Sequence, residues 1–151
     1  MRPRHLLVLL AVAAIPVGLA VALTAGDSGS SVNSSTGVQV SLHLEGGASV
    51  GGVRACGVVH HYKAYGSGST ITFRGLVSPP RTADVKVKVK LKVCTAGIFQ
   101  PSGDVITAVH RKGAYRGSFP APTAGNYFAR AEVTHAGVRL ARSEKRYFEV
   151  R

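Results

Sequence analysis

From Val85 to Val93 the chain reads Val-Lys-Val-Lys-Val-Lys-Leu-Lys-Val, with every odd position apolar and every even one lysine. Successive side chains of a β-strand point to opposite faces, so this segment makes a strand with one dry face and one charged face. Wound as a helix, it would scatter both kinds around the axis and leave no apolar stripe to bury. It therefore predicts a strand in a sheet that is covered on one side and wet on the other.

The same period recurs along the chain. Val38, Val40, Leu42 and Leu44 alternate with Gln39, Ser41, His43 and Glu45. A Gly-rich break over 46–52 is followed by a second strand, Val58 to Tyr65, and a third around Ile71 and Phe73. Pro79-Pro80 marks a turn, because proline cannot donate to a ladder. After Val85–Val93 a loop is expected over Thr95–Gly103, then a short strand over Val105–His110. Tyr115 and Phe119 share one face of the next segment, and Pro120 and Pro122 turn the chain. Tyr127, Ala129, Ala131 and Val133 alternate with Phe128, Arg130, Glu132 and Thr134. Ala136-Gly137 is a tight turn into a last strand, Val138–Val150, whose pattern breaks around Arg142–Arg146 and suggests a bulge there. Seven or eight short strands with Gly/Pro turns and no helical stretch predict an all-β fold, a single antiparallel sandwich over residues 38–151.

Ahead of this domain stands a segment of different character. Met1-Arg2-Pro3-Arg4-His5 is positive, Leu6–Ile15 is uninterrupted apolar sequence, and Ala20-Val21-Ala22 offers a small-x-small cleavage site. That order is expected of a secretory signal peptide over residues 1–25. The rival reading is an uncleaved membrane anchor, since Leu6–Ala25 is just long enough to cross a bilayer. The expected location is secreted, or membrane-anchored if the leader is retained. Cys56 is the first cysteine, which excludes a lipid-modified cysteine at the cleavage site. Residues 26–37 are Ser/Gly-rich and read as a flexible linker. They contain the sequon Asn33-Ser34-Ser35, a pattern common by chance.

Of nineteen Lys and Arg residues, Arg2 and Arg4 lie in the leader, leaving seventeen against seven Asp and Glu beyond it. Such a surplus favours encounter with anionic surfaces: lipid headgroups, acidic wall polymers or nucleic acid. Two cysteines, Cys56 and Cys94, suggest a disulfide in an exported protein, two free thiols being the alternative. Cys94 falls in the lysine phase of its strand. The bridge is therefore expected to be a peripheral staple rather than a core link between sheets.

The run Gly113-Ala114-Tyr115-Arg116-Gly117-Ser118-Phe119 leads to Gly125-Asn126-Tyr127 and an alternating strand. This resembles bacterial immunoglobulin-like modules of secreted and surface proteins, over about residues 55–151, and Phe73-Arg74-Gly75 resembles their Gly-terminated second strand. The resemblance implies a tyrosine corner at Gly125 and Tyr127, with the phenol bonded back to backbone; simple core packing of Tyr127 is the alternative. With no Trp, and with Ala129 where antibody domains place a cysteine, it implies a sandwich outside the antibody type. Members are mostly adhesive, spacing or binding modules, so the resemblance fixes no single function.

Two kinds of function remain in view. Lys86, Lys88, Lys90 and Lys92 would project about 7 Å apart along roughly 20 Å of strand face. Arg130 and Arg139 are expected beside them, with Glu132 the one acid nearby. Such a face suits an anionic envelope polymer or a membrane surface. Alternatively the lysines merely solvate it, and the module is an adhesive or spacing element for an unidentified extracellular protein. His60 and His61 alternate in a strand and cannot chelate one ion together, so no metal or other cofactor is expected. There is no Gly-x-Ser-x-Gly elbow, no His-Glu-x-x-His and no phosphate-cradling loop, which argues against an enzyme and leaves an extracellular hydrolase as the least favoured third reading. Missing aromatic interleaving argues against nucleic acid.

Overall fold

The computed structural model of the protein describes residues 37–80 and 85–151; the predicted leader, all of the linker but Gly37, and residues 81–84 lie outside them. The described chain is all-β, with eleven strand segments and a single 3-10 turn at Arg111–Gly113. The strands are β1 (Gln39–Val40), β2 (His43–Leu44), β3 (Ala48–Ala55), β4 (Val58–Tyr65), β5 (Thr70–Ser78) and β6 (Val85–Thr95). They continue with β7 (Ile98–Ala108), β8 (Ala114–Pro120), β9 (Gly125–His135), β10 (Val138–Arg142) and β11 (Arg146–Val150).

Two sheets result. The smaller has β5 at its centre, with β1 and β2 on one side and β8 on the other; the larger runs β3-β4-β11-β9-β6-β7, with β10 also paired to β9. Between them lies one core that includes Val40, Leu42, Ile71, Phe73, Val87, Val89, Tyr115, Tyr127, Ala131 and Phe148. The apolar phases of Val38–Leu44, Val85–Leu91 and Tyr127–Val133 are all buried.

Three differences from expectation have physical causes. First, the larger sheet is mixed, not antiparallel: β4 runs parallel to β11, with Phe148 opposite Lys63 and Val150 opposite Tyr65. Second, the Gly-rich break over 46–52 is mostly strand β3, and the loop over 95–103 is mostly strand β7. Both are edge strands, bonded on one side only, so neither needs a clean alternation of apolar residues. Ala96 and Gly97 form the entire turn between β6 and β7, both with positive φ, as do Cys56-Gly57 and Ala136-Gly137. Two-residue turns of this kind match the twist of a hairpin, and glycine in the second position relieves the strain.

Third, there are more strand segments than the seven or eight expected, partly because two continuous paths are each cut in two. β1 and β2 keep one register on β5, where Val40 faces Val77 and Leu44 faces Phe73. Between them the Ser41 carbonyl accepts from the Tyr115 phenol, and Ser41 Oγ accepts from the Leu76 N–H at 3.1 Å in its place. The phenol reaches that carbonyl across Gly75, where a Cβ would strike both groups. β10 and β11 are likewise separated at 143–145, the predicted bulge, where Ser143 Oγ accepts from Ala131 N–H at 3.0 Å.

Candidate functional site

The lysine strand β6 lies between β9 and β7, with its even positions on the outer face of the larger sheet. Across β9, Lys88 faces Glu132, Lys90 faces Arg130 and Lys92 faces Phe128; across β7, Lys90 faces Asp104. Arg139, on β10, reaches the same face, with Nη1 3.9 Å from Glu132 Oε1. The structure thus brings all six predicted basic residues to one face. It adds an acid that the strand pattern alone did not place there. Lys88 Nζ is 3.0 Å from Asp104 Oδ2, and Lys90 Nζ is 2.8 Å from Glu132 Oε2. Lys86, Lys92 and Arg130 have no ion-pair partner among the described residues. Two acids against six cations leave the face strongly positive.

Cys56 and Cys94 form a disulfide on this outer side, the peripheral staple expected from their phase. It has a large consequence for the site. Strands β11 and β9 separate β4 from β6 in the sheet, which at strand spacing would hold them about 14 Å apart. Yet the two cysteine Cα atoms are 5.7 Å apart. The tip of the β3–β4 hairpin must therefore leave the sheet and cross the outer face of β11 and β9. Consistent with this, the pairing of β4 with β11 stops at Lys63.

Beneath the crossing hairpin lies a second, smaller cluster of rings. His60 stacks on Tyr147 at 3.5 Å between centroids, with Tyr62 5.7 Å from Tyr147. Phe128 packs against Tyr147 at 5.9 Å and against Phe99 at 4.9 Å. Tyr62 and Phe128 are buried although both belong to outward phases of their strands. Cations close the cluster: Lys145 Nζ sits 4.9 Å from the Phe128 ring centroid and Arg130 Cζ 5.9 Å from it. Such contacts draw on the negative face of the ring.

The electrostatics are those of crowded positive charge. Burial, and then the charges of Arg130 and Lys92, hold the Lys145 ammonium below its ordinary pKa. Arg130 is lowered by burial and then by Arg142, against the opposing pull of Tyr147 and Glu132. His60 is lowered by burial and by Lys145, so its neutral form is favoured. The Tyr62 phenol is pushed up by burial, then by Tyr147 and Glu149.

Where the hairpin separates from β11, a cleft of about 800 Å³ opens. Its lining includes His60, Tyr62 and Lys63 from β4, Arg130 from β9, and Lys145 and Tyr147 from the β10–β11 bend and β11. Three polar atoms beside it, His60 Nε2, Tyr62 Oη and Arg130 Nε, are buried with no hydrogen-bond partner among the described residues. Apart from Arg130, strand phase did not single out these residues as a site. The available signal was the placing of Phe128 and Tyr147 in the wet phase of neighbouring strands, which implies that something covers them.

The remaining predicted residues are structural. The Tyr127 phenol donates to the Thr123 carbonyl at 2.7 Å, four residues upstream, and Gly125 opens the strand opposite Val150. Among the described residues, no group of three His, Cys, Asp or Glu side chains could hold a metal ion. The sequence matches no protein-family model and no curated protein.

Proposed function

We propose that the protein is a non-enzymatic, exported immunoglobulin-like module that docks on anionic envelope material through the outer face of its larger sheet. The module assignment is supported by two packed sheets and by a phenol bonded back to backbone at the start of β9. Export is supported by the expected leader, and a disulfide suits an oxidising compartment. The observation that carries the docking reading is the convergence of Lys86, Lys88, Lys90, Lys92, Arg130 and Arg139 on one face with only Glu132 and Asp104 among them.

A second reading, an adhesive or spacing module with solvated lysines, draws on the ion pairs that engage Lys88 and Lys90. Salt separates the two, because exposed charges are screened beyond about 10 Å at 0.1 M. Retention on immobilised polygalacturonate is expected to collapse between low and high salt. It should be largely lost when all four strand lysines become glutamine. Retention and salt dependence that survive this replacement unchanged would leave only the adhesive reading.

A further inference from the structure

We propose that the cleft between β4 and the β10–β11 bend seats one ring-bearing anionic unit, an acidic sugar residue. The proposal rests on the reading that the neighbouring face docks acidic envelope polymer, and it names the unit recognised.

Four observations converge on this cleft. Its volume, about 800 Å³, falls in the range of small-ligand sites. Its lining is dominated by donors: Lys63, Arg130, Lys145 and Arg146 against a single carboxylate, Glu144. A ligand that satisfies such a set must be rich in acceptors and negatively charged. Tyr62 is 2% exposed, and its hydroxyl has no partner among the described residues; Arg130 Nε and His60 Nε2 share that condition. Buried polar atoms are ordinarily satisfied, so three together beside one cleft point to an external partner. Finally, the stacked pair His60 and Tyr147 contributes ring surface to the wall. Apolar ring faces beside charged donors suit a pyranose, which presents C–H groups on its faces and hydroxyls at its rim.

The cleft is continuous with the basic face. Arg130 lines it and faces Lys90 across the β9–β6 ladder, and Lys92 acts on the charge of Lys145. A polymer lying along the lysines can therefore place one unit here. An anion in the cleft also relieves the mutual repulsion of Arg130, Lys145 and Lys92.

The test uses the full chain in mild detergent, titrated with three probes and followed by NMR at the ring protons of His60 and Tyr147. Oligogalacturonate carries ring and charge, oligogalactose the ring alone, and glycerol 1-phosphate the charge alone. Oligogalacturonate is expected to shift the His60 and Tyr147 signals saturably and the other two only weakly. Tyr62→Phe removes nothing but a hydroxyl without an internal partner. It should leave unfolding stability unchanged or raised, yet weaken binding on the order of tenfold, as loss of a hydrogen bond to a charged group does. Arg130→Gln should weaken it further and flatten its salt dependence. Equal binding of glycerol 1-phosphate would overturn the ring requirement, and unchanged affinity in both variants would overturn the site. If oligogalacturonate leaves the cleft signals unmoved while the full chain still binds polygalacturonate in a salt-dependent way, the cleft assignment fails and the docking face stands. Conversely, cleft binding that survives replacement of the four lysines, in a protein no longer retained on polymer, supports the cleft independently.

Discussion

Breaking the Cys56–Cys94 bridge tests how far the folded-over hairpin depends on its covalent pin. The cysteines are 38 residues apart in sequence and close a loop containing β4, β5 and most of β6. In the chain-entropy model a loop of this length stabilises the fold by about 4 kcal/mol, by restricting the unfolded chain. Domains of this size are stable by only about 5–15 kcal/mol, so the bridge is a large fraction of the whole. With unfolding entropies near 2 cal/mol/K per residue, the expected fall in Tm is about 15 °C. Thermal unfolding would be followed by far-UV circular dichroism on the oxidised protein, the reduced protein and the Cys56→Ser, Cys94→Ser double variant. Mass spectrometry would confirm reduction by the gain of two hydrogens. The chain contains no Trp, so its intrinsic fluorescence reports tyrosine and follows Tyr62 and Tyr147 as the hairpin lifts. A fully reduced protein whose Tm falls by less than about 3 °C would refute the reasoning, because the loop-entropy contribution would then be absent.

Two further outcomes follow from buried groups. Replacing Gly75 with alanine places a Cβ against the Ser41 carbonyl and the Tyr115 hydroxyl. It should cost about 3 kcal/mol or more in a urea melt, the reverse of the small gain that Gly→Ala ordinarily brings within a strand. Stability should also fall at both ends of the pH scale. His60 titrates below its ordinary 6.5 in the folded protein, because of burial and then Lys145, so the unfolded chain binds its proton first. That contribution is present above pH 6.5 and is lost as the pH falls through the folded pKa, and His60→Gln should flatten this limb of the urea midpoint. At the alkaline end burial pushes the Tyr65 phenol up to about 12 from 10.0. Its contribution is complete below pH 10 and lost as the pH rises through 12, and Tyr65→Phe should remove that dependence.

Side-chain period alone determined a good deal of this protein. Val85–Val93 could satisfy water and core together only as a half-covered strand, and the same logic assigned the buried phases of Val38–Leu44 and Tyr127–Val133. It also placed Cys94 on the lysine side, hence a bridge outside the core. Pairing was another matter. Backbone hydrogen bonds are the same for every residue, so nothing in β3 or in the first half of β7, each bonded along one edge, distinguished strand from loop. The parallel meeting of β4 with β11 joins segments more than eighty residues apart in the chain and leaves no local trace. The basic row was therefore legible in advance, whereas the cleft beside it was decided by tertiary structure. His60 and Tyr62 reach Arg130, Lys145 and Tyr147 only because a hairpin tip, pinned by a disulfide, folds across a sheet face that alternation alone would leave to water.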